Sequence, residues 1–204
     1  MKSYSLFDID TYLFEHISIF KNRNPNGLYV ECGAADGIQQ SNTKMIEDEN
    51  FGWHGILIEP NKKMFESCKK NRPNNICENI ALVSNDYKCD TIEGDWDNPW
   101  PSPEAMMGGC TIKHKKTSQI PCFTFDALMT KYSVNKVDLF SLDVEGYELE
   151  VLKGINFQKT LISYIILECH FEMKETETKN YLLDNGFVII HCFNDFIYLL
   201  KNKI

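Results

Sequence analysis

Arginine is almost missing from this chain of 204 residues. Arg23 and Arg72 are the only two among 21 basic residues, and the 29 acids leave a net charge of −8. Such a surface argues against generic binding to nucleic-acid backbones or anionic membranes, and leaves room only for a local basic site. No apolar run approaches the roughly 20 residues that would span a bilayer. The amino-terminal stretch MKSYSLFDIDTYLFEH carries acids early and lacks the apolar core of a secretory signal, so a soluble, cytoplasmic protein is expected. None of the eight cysteines forms a CxxC pair, which removes the usual spacing of a zinc cage. Buried free thiols are the expectation. Also missing is the dinucleotide fingerprint GxGxxG. The lysine bias, with frequent asparagine and isoleucine, speaks of an AT-rich coding sequence and not of chemistry.

What is present is alternation. Leu6, Ile9, Leu13, Phe14, Ile17 and Phe20 follow helical spacing, and NRNPNG breaks the chain before a strand at Leu28 to Cys32. A helix near 41–49, the strand GILIEP, the helix NKKMFESCKKN and a third strand within NICENIALVS follow. Residues 85–121 interrupt this rhythm with turn formers and short strands only near the ends, as an insertion over one edge would. Regularity returns with TFDALMTKYS, KVDLFSLDVEG, YELEVLKG, SYIILECH and KETETKNYLLDNG, and the chain closes on two strands around Asn194-Asp195. Strands alternating with helices imply an α/β fold, a mostly parallel sheet with helices on both faces and a C-terminal antiparallel hairpin. The expected organisation is one domain over 1–204, with a helical extension at 1–25 and the insertion at 85–121.

In an open α/β sheet, ligands bind beyond the carboxyl ends of the strands. The segments expected there are Glu31 to Gly37, Glu59-Pro60, Asn79 to Ala81, Asp143 to Gly146 and Glu168 to His170. The first loop, Gly33-Ala34-Ala35-Asp36-Gly37, puts an acid where a pyrophosphate would rest. Carboxylates at Glu31 and Asp36 repel phosphate and favour an ammonium. Glu59 stands where a carboxylate can accept both hydroxyls of a ribose. A neutral diol plus a cationic amino acid matches S-adenosylmethionine better than NAD. The alternatives are that Glu59 caps the following helix and that Asp36 caps a turn.

The segments VECGAADG…SNT, GILIEPN, NIALVS and, most specifically, LDVEGYELEVLKG resemble the FkbM family of S-adenosylmethionine-dependent methyltransferases, from about Leu28 to His170. That resemblance implies a class I methyltransferase fold with a seven-stranded sheet, and commonly O-methylation of sugars or polyketide-type products. Carried over by motif, Glu31, Gly33, Ala34, Asp36 and Gly37 line the methionine end. Ser41, Asn42 and Thr43 open a helix whose amides hold a carboxylate; Glu59 and Pro60 take the ribose, and Asn79, Ile80 and Ala81 border the adenine. The acceptor implied is a sugar, nucleotide sugar or glycan precursor, or another small or lipid-linked metabolite. A NAD oxidoreductase and a non-catalytic binding module are the competing classes.

Methyl transfer to a hydroxyl needs a place for its proton. Asp143, after the fourth main strand and beside the cofactor, is the first candidate, with His170 and Glu168 next. Glu145 is expected at the acceptor, although Glu145 and Glu148 are equally ordinary first-turn acids. Asp143, Glu145 and Glu168 could instead gather a divalent cation. Lys113, Lys115 and Lys116 form the one dense basic run, either a solvated face or a phosphate contact on the acceptor. Trp96 and Trp100 could stack on a sugar or anchor the insertion. Aromatic-rich segments in the N-terminal helix and the insertion could pair two copies into a homodimer.

Overall fold

The computed structural model describes residues 2–22, 25–49, 52–96, 117–169 and 172–204. β1 (Leu28–Cys32) is an inner strand of a seven-stranded sheet, flanked in parallel by β2 (His54–Ile58), which in turn pairs with β3 (Ile76–Glu78). On its other side β1 pairs in parallel with a strand later in the chain, Lys136–Leu142. Before reaching it the chain forms a smaller sheet. β4 (Ala81–Val83), β5 (Thr91–Gly94) and β6 (Ser118–Thr124) take the order β4-β6-β5. The single third strand expected over NICENIALVS is therefore two, β3 in the main sheet and β4 in the small one. The break falls at Asn79-Ile80, where Asn79 turns its side-chain amide back onto the Glu59 and Pro60 carbonyls at 2.9 and 2.8 Å.

β7 (Lys136–Leu142), β8 (Leu161–Glu168), β9 (Phe187–Cys192) and β10 (Ile197–Asn202) complete the main sheet in the order β3-β2-β1-β7-β8-β10-β9. β7 and β8 are parallel; β10 runs antiparallel to both β8 and β9, which is the hairpin expected around Asn194-Asp195.

The period-two pleat of the strands sorts the core into two layers. Val30, Ile56, Ile58, Phe140, Leu142 and Ile165 face a cluster with α5 (Phe125–Lys131), α6 (Glu148–Leu152) and Leu182 of α7 (Glu172–Asp184). Tyr29, Leu139, Tyr164 and Ile166 face the other way, onto α1 (Ile9–His16), α2 (Ser18–Lys21) and α3 (Lys44–Asp48). Leu57 packs on Ala34 and on Cys68 of α4 (Lys62–Asn71). The N-terminal helix expected over 6–20 is broken at Ile17, whose φ of −96° and ψ of 121° are extended. On either side of the break Leu13, Phe14, Ile17 and Phe20 are buried in the same cluster as Tyr29, Leu139 and Ile166 of the sheet. Among the described residues no helix is long and apolar enough to cross a membrane.

Two glycines isolate how strongly the first loop is constrained. Gly33 has φ +87°, and a Cβ there would lie 1.8 Å from the Asp143 carbonyl oxygen. Gly186 has φ +92° with nothing within 4 Å of such a Cβ. Gly186→Ala should therefore cost only the left-handed strain, about 1–2 kcal/mol. Gly33→Ala adds a backbone clash and should cost about 3 kcal/mol or more. Urea unfolding of the two variants checks this; equal losses would show that the close approach of Gly33 to Asp143 does not exist in solution.

Candidate active site

The strands that matter end in one row. Across the sheet, Glu78, Ile58, Cys32, Leu142 and Leu167 are register partners of one another in turn. The next residue of each strand therefore stands along one rim: Asn79, Glu59, Gly33, Asp143 and Glu168. The ladder itself reaches this rim, since the amides of Glu59, Gly33 and Asp143 donate to the carbonyls of Glu78, Ile58 and Cys32 at 3.0, 3.0 and 3.1 Å. A parallel sheet with matched strand lengths thus converts five separated sequence motifs into one edge.

The glycine loop has few free amides. Gly33 and Ala34 donate to the Ile58 carbonyl, Gly37 donates to the Ala34 carbonyl at 2.8 Å, and Ala35 donates to Glu59 Oε2 at 2.8 Å. A loop that cradles a pyrophosphate needs those N–H groups pointing outward. Ala35 takes φ 46°, a left-handed conformation that the Glu59 bond helps to hold. Asp36 Oδ1 accepts from Ile38 and Gln39 N–H at 2.9 and 2.8 Å, so it closes the turn, the alternative weighed for it. Glu59, 8% exposed, also accepts from Asn61 N–H through Oε1 at 2.7 Å. Burial pushes its carboxyl up to about 7 against the pull of those two amides. Each of its oxygens retains a lone pair for a hydroxyl donor. Ile80 and Ala81 are both buried, Ile80 in the main core and Ala81 with Val83, Ile92, Trp96 and Cys122 under the small sheet.

Glu31, Ser41, Asn42 and Thr43, expected at the methionine end, are turned inward. Glu31 accepts from Ser41 Oγ, Asn42 N–H and Thr43 Oγ1, the closest being Thr43 at 2.6 Å. The Thr43 and Lys44 amides donate to Ser41 Oγ at 3.3 and 3.1 Å, and Asn42 Nδ2 donates to Ser141 of β7 at 3.0 Å. These groups spend their hydrogen bonds on one another because a second buried charge sits among them. Arg72, fully buried, donates to the Gly37 carbonyl at 2.9 Å, Tyr29 Oη at 2.8 Å, Thr43 Oγ1 at 3.2 Å and Ser41 Oγ at 3.3 Å. Its Nε pairs with Glu47, and Nη1 stands 3.8 Å from Glu31. Burial works against its charge, but Tyr29, Glu31 and Glu47 outweigh it and hold the guanidinium above its ordinary range. No motif reading singled out Arg72; its scarcity in a lysine-rich chain was the available signal.

On the other side of Gly33 several acids crowd together. Asp143 Oδ1 is buried and has no hydrogen-bond partner. Burial, then Glu168, Glu145 and Glu148, raise the Asp143 carboxyl well above the usual carboxylate range. Glu145, at φ 56°, is pushed up to about 7 by burial and by Glu168 and Glu148. Glu148, 1% exposed, holds this turn: Oε1 accepts from Gly146 and Val144 N–H at 2.7 and 3.3 Å, and Oε2 lies 3.7 Å from Cys169 Sγ. It is therefore more than a first-turn acid. Among the described residues no group of three His, Cys, Asp or Glu is arranged to hold a metal ion.

Trp96 is 8% exposed, gives its indole N–H to the Ser118 carbonyl at 2.7 Å, and fills the space over Gly94 in the small sheet. Its position is that of an anchor. His170, Lys113, Lys115, Lys116 and Trp100 lie outside the described residues.

The orphaned, buried Asp143 oxygen beside the tightly packed Gly33 suits a cationic centre, and the lone pairs left on Glu59 suit a diol. The residues present fit an adenosyl sulfonium and not a pyrophosphate. Together with a parallel sheet ending in an inserted antiparallel strand, this defines a class I methyltransferase fold. The chain belongs to the methyltransferase FkbM domain family, whose profile matches residues 31–189. It is 34% identical over 130 residues, 59% of this chain, to the hexuronic acid methyltransferase AglP of Haloferax volcanii. That match spans about half, 53%, of the relative. Among solved structures, the human methyltransferase 10 domain containing protein superposes over all of this chain and 85% of its own, with a TM-score of 0.50 at 10% identity. TrmK of M. capricolum bound to S-adenosyl-homocysteine covers 88% of this chain and 63% of its own, with a TM-score of 0.47 at 12% identity.

The acid cluster has a consequence for stability. Glu145 in the folded protein titrates near 7, above its ordinary 4.5, so the folded state binds its proton more tightly than the unfolded chain. Stability falls as pH rises from about 4.5 to 7. Glu145→Gln removes that share and should raise stability at pH 8 by about 1 kcal/mol, after allowance for its partial exposure. At pH 4 the two proteins should match. Urea midpoints across this range give the answer, and a variant less stable at pH 8 would mean that Glu145 is compensated by a cation.

Proposed function

We propose that this protein is an S-adenosylmethionine-dependent O-methyltransferase acting on a small-molecule hydroxyl of a sugar, nucleotide sugar or glycan precursor. The observation that carries the reading is the partnerless, buried Oδ1 of Asp143, on the rim shared with Gly33 and Glu59. The relative named for hexuronic acid supports a sugar-type acceptor.

The cofactor supplies a methyl group on a positively charged sulfur. Everything else is work for the chain's own residues. Glu59 would accept the ribose hydroxyls, with Pro60 and the Asn79–Ala81 segment beside the base. The carboxylates of Asp143, Glu145 and Glu168 would favour the cation electrostatically, because like charges gathered at low dielectric are relieved by a positive neighbour. The close packing of Gly33 on the Asp143 backbone fixes where Oδ1 stands, and positioning of this kind would supply much of the acceleration in an in-line transfer. Asp143 takes the acceptor's proton at Oδ1, its proton affinity already raised by burial and by its acidic neighbours. His170 remains a second candidate for that proton, and Lys113, Lys115 and Lys116 for a phosphate on the acceptor. We further infer that 1–204 acts as one catalytic domain, that 85–121 borders the acceptor, that the protein is cytoplasmic, and that two copies pair through the aromatic-rich N-terminal helix and insertion.

Thermal unfolding with S-adenosylhomocysteine, S-adenosylmethionine and NAD in parallel is the test of the cofactor. A ligand at 100 times its dissociation constant stabilises by about 2.7 kcal/mol, a rise of roughly 5–10 °C for a domain of this size. The adenosyl compounds should give that rise and NAD none, and Glu59→Gln should abolish most of it. A rise with NAD alone contradicts the proposal.

A further inference from the structure

We propose that Cys68 and Cys77 form a thiol-modification site, a dithiol beneath the glycine loop that hydroperoxides close reversibly to an intramolecular disulfide. Cys68 lies on α4 and Cys77 in the middle of β3, and their Sγ atoms are 3.9 Å apart. Cys68 is 1% exposed, whereas Cys77 is half-buried and can be reached. The pair is asymmetric in a useful way. The two sulfurs share one hydrogen bond in which either can donate; the contact with Cys68 lowers the Cys77 thiol below its ordinary range, opposed by burial and Glu47 and assisted by Arg72 and Lys69. Cys68 is raised by the same contact and by burial. One sulfur is thus suited to attack and its neighbour to resolve.

The chemistry closes without a further reagent. The Cys77 thiolate attacks the terminal oxygen of a hydroperoxide; the O–O bond breaks, the alkoxide leaves and takes up a proton as the alcohol, and Cys77 becomes a sulfenic acid. The Cys68 sulfur then attacks the Cys77 sulfur, water leaves with the Cys68 proton, and the S–S bond forms. Two thiols lose two electrons and one hydroperoxide gains them.

Closure reaches the proposed cofactor site through α4. Sγ atoms bonded at about 2.05 Å must approach by roughly 1.9 Å from their present separation. Cys68 Sγ now lies 2.9 Å from the point a Gly37 Cβ would occupy, so it is the floor of the loop. The same end of α4 holds the loop through Asn71 Nδ2 on the Asp36 carbonyl and Arg72 Nη1 on the Gly37 carbonyl, each at 2.9 Å. Drawing Cys68 towards β3 withdraws that floor. This consequence rests on the adenosyl-cofactor reading, whereas the dithiol does not.

The experiment treats the full chain with stoichiometric hydrogen peroxide, blocks remaining thiols with iodoacetamide, and maps peptides without reduction. S-adenosylhomocysteine affinity is measured before and after, in wild type and in Cys77→Ser and Cys68→Ala variants. The expected result is a linked Cys68–Cys77 peptide as the main product, reversed by dithiothreitol. Oxidised wild type should bind S-adenosylhomocysteine several-fold more weakly, with Cys77→Ser unchanged by the same treatment. Oxidation of the exposed Cys89 and Cys192 with no linked peptide would overturn the site. A linked peptide with unaltered affinity would overturn its connection to the loop. Failure of the reduced protein to bind S-adenosylhomocysteine at all would count against the cofactor reading alone, and the peptide map would still decide the dithiol.

Discussion

One buried guanidinium organises the half of the rim that a cofactor loop must use. Arg72 reaches β1 through Tyr29, the glycine loop through the Gly37 carbonyl, the following segment through Ser41 and Thr43, and α3 through Glu47. Only a planar group with five donors can serve so many acceptors from one position. Its burial would be costly alone, but Glu31 and Glu47 balance the charge, and the hydroxyls and carbonyl satisfy the remaining donors. Removing one partner from such a set costs about 3–5 kcal/mol because the other charge is stranded. The network therefore fixes the path of 33–43 before any ligand arrives, and it explains why Glu31 is spent on structure.

The two sides of Gly33 are electrostatic opposites. To the left, charges are paired and hydrogen-bonded to completion. To the right, burial and neighbouring carboxylates raise the proton affinities of Asp143 and Glu145. Folding pays for that repulsion through the buried sheet that forces Leu142 and Leu167 into register, since the strands cannot shift without exposing a whole face. Such strain concentrated at one rim is what a site for a cationic ligand requires, and Glu148 preserves it by holding the backbone turn at Glu145 and Gly146.

Much of this was legible in the sequence. Alternating strands and helices, the terminal hairpin and the strand-end acids follow from periodicity and from the topology of parallel sheets. The register that places Glu59, Asp143 and Glu168 on one rim follows once each strand's last apolar residue is known. Other features were not legible. Whether Glu31 faces a ligand or a buried arginine depends on Arg72, which is 41 residues away in sequence and close only in the fold. The split of the third strand depends on the Asn79 side chain finding two carbonyls, a choice no propensity encodes. Trp96 admits two roles in sequence because burial of an aromatic in an insertion is decided by its neighbours, here Gly94 and Ser118.

The most direct measurement is amide hydrogen exchange across residues 33–43 in an Arg72→Lys variant. Lysine keeps the charge and loses the fork that bridges four elements. If Arg72 holds the loop, those amides should exchange at least about tenfold faster, equivalent to about 1.4 kcal/mol of lost local stability, with β1, β2 and β7 still protected. Unchanged exchange in 33–43 would contradict the central place given to Arg72 and return Glu31 to the role of a ligand contact.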